Sequence, residues 1–314
     1  MDLHVSPSRS AETPSPEALR RQIAMLAGNV SIETTTRESE TVGSYRAWLR
    51  PGMDVNIASV PGGDYSAVVR TAVRLRSEGF NPVPHLPARA FPSELALREA
   101  LRRLRDEAGT SAALAIAGGN SDASGPFADS LSLLESGLLA EFGIHRIGVA
   151  GYPEGSPNIE DTALRNALAA KHAYARRTGV DMHIATQFCV DAGPIAAWAQ
   201  SVRRDGIDLP IDVGVAGTTT LASLLKFARI CGVNASGRVL ARNARKLVRL
   251  GALSYPDRVI AGIANHMLLD PAHGIRRLHM FPFGGLERTA RWLTAVAEGA
   301  FAFNERMDGF SVAI

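Results

Sequence analysis

A carboxylate stands inside an apolar, β-rich run at Val30-Ser31-Ile32-Glu33-Thr34-Thr35. Taking such a group out of water is costly unless it is used or paired, so Glu33 is the first candidate functional residue. Polar residues also end other apolar runs: Ser59, His85, Asn120, Tyr152 with Glu154, and Gln187. A loop from Gly214 to Thr220 and the stretch Phe281 to Gly285 follow two more. Taken singly, His85 between two prolines reads as a turn histidine, Asn120 as a turn or cap residue, and Gln187 as a buried amide paired with backbone.

Other chemistries lack their motifs. Histidines and cysteines do not cluster, and neither HExxH nor CxxC occurs, so no metal site is expected. There is no GxSxG and no Walker loop, and neither Cys189 nor Cys231 sits in a nucleophile motif. The 314 residues are 46% hydrophobic and 21% charged, an ordinary globular balance. Lys and Arg (34) barely exceed Asp and Glu (31), and the two signs are interspersed, which argues against a nucleic-acid partner. No apolar run approaches the roughly 18 residues of a membrane span. The opening MDLHVSPSRSAETPSPE lacks the apolar core of a secretory signal, and two cysteines cannot build a disulfide framework, so a cytoplasmic protein is expected.

The elements that must position these groups repeat along the chain. Short β-rich runs occur at 29–35, 53–60, 81–88, 111–118, 145–152, 182–189, 210–217 and 277–284. Helical patterns lie at 16–26, 65–79, 93–109, 127–143 and 220–232, with apolar residues three and four apart. The stretch 233–271 holds two helical patterns and no convincing strand. Eight strands alternating with helices predict a single-domain (β/α)8 TIM barrel over 29–314, preceded by a polar N-terminal extension with a short helix over 1–28. A doubly wound open sheet is the runner-up, but Glu33-Thr34-Thr35-Thr36-Arg37 is not the Gly-rich loop it would need. In a barrel the candidate residues above fall at the C-terminal ends of the strands, where active sites form.

Several segments, in order, resemble the methylenetetrahydrofolate reductase family. Ser31-Ile32-Glu33 resembles its first-strand S-F-E, and Pro84-His85-Leu86 its P-H-L. Ala150-Gly151-Tyr152-Pro153-Glu154-Gly155-Ser156-Pro157 is close to A-G-Y-P-E-G-H-P, the most specific match. Ala185-Thr186-Gln187-Phe188 resembles I-T-Q-F, and Arg277-Leu278-His279-Met280-Phe281 resembles the last strand's L-H-F-Y. Pro210 to Val215, followed by Leu224 to Ala228 and Cys231-Gly232, is similar to P-I-x-x-G-I … L-x-x-F-A-x-x-C-G. The departures mark a divergent member. Gly118-Gly119-Asn120 replaces R-G-D, Ser59 a tyrosine, Ser156 a histidine, Ser223 a glutamine, and Gly284-Gly285 an N-R pair.

The resemblance implies a flavoenzyme interconverting 5,10-methylene- and 5-methyltetrahydrofolate in one-carbon metabolism, with FAD as cofactor, NAD(P)H as a possible electron partner and a homo-oligomeric assembly. Glu33 becomes the acid/base that serves folate N10. Asn120, Gln187, Ser223 and Phe227 become substrate contacts. Ser59, His85, Gly118, Gly119, Asn120, Phe127, Ala128, Tyr152 and Ser156 become cofactor contacts, with Lys171 and His172 toward the phosphates. The loop Gly217 to Thr220 offers further backbone N–H groups to a phosphate. Asn120 in place of a carboxylate favours oxidation of the methyl form. A flavin-free hydride transferase on the same fold and a non-catalytic folate binder stay open as alternatives.

Overall fold

The computed structural model describes residues 14–59, 63–119, 122–230 and 253–313. Eight parallel strands close into a barrel: β1 (Val30–Thr35), β2 (Asp54–Ala58), β3 (Asn81–Pro87), β4 (Ala112–Ile116), β5 (Arg146–Gly151), β6 (Asp181–Cys189), β7 (Ile211–Ala216) and β8 (Ile275–Phe281). They follow sequence order around the barrel, and β8 returns to β1 through Val30–Leu278, Ser31–His279 and Ile32–Met280. The expected (β/α)8 barrel is the fold of this chain.

Side chains alternate along each strand. One set, including Ile32, Ile57, Leu86, Val149, Val215 and Met280, is fully buried in the main hydrophobic core. The other set meets across the barrel: Glu33 of β1 approaches His85 of β3, and Asp54 of β2 pairs with Arg146 of β5. The apolar core therefore lies between strands and helices, and the interior of the barrel carries ionisable groups.

Local signals set the helices. α1 (Pro16–Gly28) starts where the Ser15 hydroxyl accepts from the Ala18 N–H, and its Leu19, Ile23, Leu26 and Ala27 are buried in the core. α2 (Thr36–Thr41) and α3 (Tyr65–Ser77) follow β1 and β2. α4 (Glu94–Ala108) is capped by Ser93 and stopped by Gly109, at φ +55°. The single helix expected over 127–143 is two pieces, α5 (Ser130–Glu135) and α6 (Leu138–Glu141), because Gly137 turns left-handed between them. α7 (Asp161–Thr178), α8 (Ala192–Arg204), α9 (Leu221–Ile230), α10 (Asp257–Leu269) and α11 (Leu286–Ala297) complete the ring.

Two short antiparallel pairs, Thr219–Thr220 with Leu253–Ser254 and Phe301–Phe303 with Phe310–Val312, escaped the sequence reading. Strands of two or three residues are too short to show an alternation. Of the expected connection 233–271, residues 233–252 lie outside the described residues, as does Cys231; the described remainder holds that first pair's second strand and α10.

The N-terminal end of the barrel is closed by an ion-pair network. Asp54 takes both Nη atoms of Arg146, at 2.5 and 2.8 Å, and Arg277 Nη1 at 2.8 Å. Arg277 Nε reaches on to Asp212 at 2.8 Å, and Arg276 grips the same carboxylate at 2.7 and 2.8 Å. Consecutive residues of one strand can both do this because the register slips between Ile275 and Arg277. The arginines hold the Asp54 carboxyl down at about 2, against the opposing effect of its burial. His183 Nε2 lies 3.6 Å from Asp212, and burial pushes its imidazole down to about 4.

Candidate active site

The opposite, C-terminal end of the barrel gathers most of the residues singled out from the sequence. Glu33 projects from β1 with its side chain 16% exposed. Its Oε2 lies 3.5 Å from His85 Nε2 and 3.8 Å from His279 Nε2. His85 is buried, and its Nε2 has no hydrogen-bond partner among the described residues. Burial pushes its imidazole down, with Glu33 opposing and His279 assisting, so the ring is neutral at neutral pH. His279 is held by Ser31 Oγ at 2.9 Å from Nδ1 and by the Asn56 amide nitrogen at 3.2 Å. A carboxylate between two imidazoles can accept, hold and release a proton.

A bulge in β6 presents Gln187. The β6–β7 register shifts between Ala185 and Phe188, and the Gly214 N–H donates to the Thr186 hydroxyl at 2.8 Å. Thr186 Oγ1 in turn donates to the Gln187 carbonyl at 2.8 Å. Bulges of this kind re-aim a side chain at the rim of a barrel.

An aromatic wall adjoins it. Phe227 of α9 stacks on Phe283, with ring centroids 4.3 Å apart and planes 14° off parallel. Phe188 and Phe281 pack behind, at 4.9 and 5.9 Å from Phe283. Phe188, Leu221 and Leu224 form a small hydrophobic cluster separate from the main core. Phe283 has φ +50°, a left-handed conformation that is an outlier for a bulky residue and marks a site where strain is tolerated. Such a wall suits a flat apolar ring.

Most other candidates follow the C-terminal ends of β2, β4 and β5 along the chain, and Lys171 lies in the second half of α7. Ser59 follows β2 and is half-buried. Gly118, at φ +95°, turns the chain against Pro87, where a Cβ would come within 3.1 Å; Gly119 beside it is exposed. Phe127 is buried, and the Ala128 carbonyl accepts from Arg89 Nε at 2.7 Å. Tyr152 is half-buried, which raises its hydroxyl pKa, and Ser156 lies in a bridge with Ile159. Lys171 is 9% exposed; burial pushes its ammonium pKa down while Asp129 opposes. Asn120 lies outside the described residues.

Three expectations change. His172 Nε2 binds Asp208 Oδ1 at 2.8 Å, and Asp208 leads into the N-terminal end of β7, so the structure does not bring this histidine to the mouth. One residue along α7 from Lys171 is a turn of about 100°, enough to send the two side chains different ways. The Gly217–Thr220 loop does not offer its first N–H groups to an anion, because Gly217 donates to the Phe281 carbonyl and Thr218 to the Thr289 hydroxyl. Ser223 is engaged with Thr220, whose hydroxyl donates to it at 3.1 Å and accepts its N–H at 3.2 Å, as an N-terminal cap of α9.

The sequence reading gave Asn56 no role and quoted His279 only within the last-strand resemblance. Asn56 is a polar residue amid the apolar run Val55-Asn56-Ile57, the same signal that exposed Glu33. His279 sits at an inward position of β8, two residues after Arg277.

Comparison with known proteins bears on the family and the fold. Residues 54–264, more than half of the chain, match the model of the family described as methylenetetrahydrofolate reductase. Methylenetetrahydrofolate reductase 2 of Saccharomyces cerevisiae is 31% identical over 93 residues, which are 29% of this chain and 15% of the yeast protein. The chain thus matches only a small part of that relative's length. A Clostridium thermocellum protein, described as binding two copies of 5-methyl-5,6,7,8-tetrahydrofolic acid, superposes with a TM-score of 0.56 at 10% identity, covering 89% of this chain and 97% of that one. At that identity the likeness concerns the fold.

Proposed function

The chain belongs to the methylenetetrahydrofolate reductase family, and from that premise we propose that it is an oxidoreductase interconverting 5,10-methylene- and 5-methyltetrahydrofolate at this mouth. The observation that carries the proposal is Glu33, bracketed by His85 and His279 at the C-terminal end of the barrel. Opening the methylene bridge expels folate N10 as an amine, which leaves more readily once protonated. Glu33 supplies that proton and recovers it in the reverse direction. Gln187, presented by its bulge, pairs with the pterin amide edge. Phe227 and Phe283 take the p-aminobenzoyl ring on their apolar wall.

The family implies FAD, and the residues present fit its ring end. The turn at Gly118 keeps backbone bare beside Pro87, and His85 offers an unpartnered Nε2. Ser59, Gly119, Phe127, Ala128, Tyr152 and Ser156 would surround ring and ribityl chain, and Lys171 would meet the phosphates. When bound, the flavin supplies a hydride acceptor and donor for the one-carbon unit. The weak phosphate end, with His172 tied to Asp208, favours a second reading in which nicotinamide exchanges hydride with the folate directly. The visible spectrum of freshly purified protein separates the two: flavin bands support the first, and a colourless enzyme that still turns over with NAD(P)H supports the second.

The proposal extends to NAD(P)H as electron partner, a cytoplasmic homo-oligomer, and preference for oxidising the methyl form. Among the described residues no helix is long and apolar enough to cross a membrane. The preference rests on Asn120 standing where the family has a carboxylate. Without that negative charge, reduced flavin is easier to form. The flavin midpoint potential should therefore fall in Asn120→Asp; an equal or higher value refutes the preference.

A further inference from the structure

His279 is 1% exposed, and its surroundings dictate which ring nitrogen carries the proton. The Asn56 amide nitrogen lies 3.2 Å from Nδ1 and 3.4 Å from Nε2, and an amide NH2 only donates. The Ser31 hydroxyl, 2.9 Å from Nδ1, donates or accepts to suit. When ionised, the Glu33 carboxylate, 3.8 Å from Nε2, only accepts. The Nε2–H tautomer suits Ser31, Glu33 and the shorter of the two Asn56 contacts: a lone pair on Nδ1 toward Ser31 and Asn56, and a hydrogen on Nε2 toward Glu33. The other tautomer sets a ring lone pair against a carboxylate. Phe281 meets the imidazole edge-on at 4.6 Å and 82°, which fixes the plane of the ring.

We infer that Ser31 and Asn56 lock His279 in its Nε2–H tautomer, making it a positioning residue that aims an N–H at Glu33 from the β8 side while His85 faces Glu33 from β3. The role, though not the geometry, rests on the acid/base function proposed for Glu33. The other charged groups nearby do not reverse the assignment. His85 is the second imidazole facing Glu33, and Arg277, two residues along β8, is already bound by Asp54 and Asp212.

The test is nitrogen NMR of 15N-histidine-labelled protein, with the His279 signals identified by their loss in His279→Gln. The wild type should show a protonated Nε2 and an unprotonated Nδ1. Asn56→Asp, which replaces a donor by an acceptor, should move the proton to Nδ1. The same variant should lower folate turnover about 10- to 100-fold and displace its pH profile, with KM changed less than about threefold. A wild-type ring protonated on Nδ1, or an unshifted pH profile in Asn56→Asp, overturns the inference. Folate turnover together with the reversed tautomer refutes the positioning role and spares the proposed function. The expected tautomer without any folate turnover refutes the function, and the role of His279 falls with it.

Discussion

Gly214 lies against the backbone of Gln187: a Cβ at position 214 would come within 2.6 Å of the Gln187 carbonyl oxygen and 2.7 Å of its carbonyl carbon. Backbone atoms cannot swing aside as a side-chain tip can. The bulge that presents Gln187 thus depends on a bare residue in the neighbouring strand. Gly214→Ala should flatten the bulge, destabilise the fold by roughly 1–3 kcal/mol, and weaken 5-methyltetrahydrofolate binding about tenfold or more. Calorimetric titration alongside thermal melts checks this; unchanged affinity would show that Gln187 needs no such support.

Glu33→Gln keeps the size and hydrogen-bonding capacity of the side chain and removes its proton transfer. Turnover should drop on the order of 10²- to 10⁴-fold, with folate affinity within a few-fold and an unchanged melting temperature. A variant that turns over at the wild-type rate would remove Glu33 from the chemistry.

Stability should depend on pH through His183. Its folded pKa, about 4, lies below the ordinary 6.5, so the unfolded chain binds more protons between these values. The contribution is complete above pH 6.5 and is lost as pH falls toward 4, about 3 kcal/mol in all. Asp54, lowered to about 2 from 3.8, adds a loss of about 2 kcal/mol between pH 4 and 2 by the same sign. Denaturant midpoints at pH 7, 5.5 and 4.5 should fall steadily in the wild type and more shallowly in His183→Gln.

Arg277 binds Asp54 and Asp212 together, so removing it leaves two buried carboxylates short of a partner. Arg277→Met should cost about 3–5 kcal/mol, read as a fall in the denaturation midpoint. Arg98→Met, which breaks exposed pairs with Glu94 and Glu141, should cost less than about 1 kcal/mol. Equal effects would contradict the structural importance given to the barrel floor.

The eight barrel strands were legible in the sequence because each is a short apolar run commonly bounded by Gly, Pro, Asn or Asp, and their observed limits fall within three residues of the expected ones. Glu33 was legible because a carboxylate inside such a run is costly. The Glu33–His279 approach was not, because these residues are 246 positions apart and meet only through closure of β8 on β1. The engagement of His172 with Asp208 was equally hidden, since the phase of α7 against its neighbours depends on packing. The strain at Phe283 leaves no mark in composition at all.

The most direct measurement is anaerobic mixing of purified, FAD-supplemented protein with 5-methyltetrahydrofolate while the flavin absorbance is followed. The account predicts bleaching of the oxidised bands with formation of 5,10-methylenetetrahydrofolate. Unchanged absorbance with this ligand and with NAD(P)H, and no folate product formed, would contradict it.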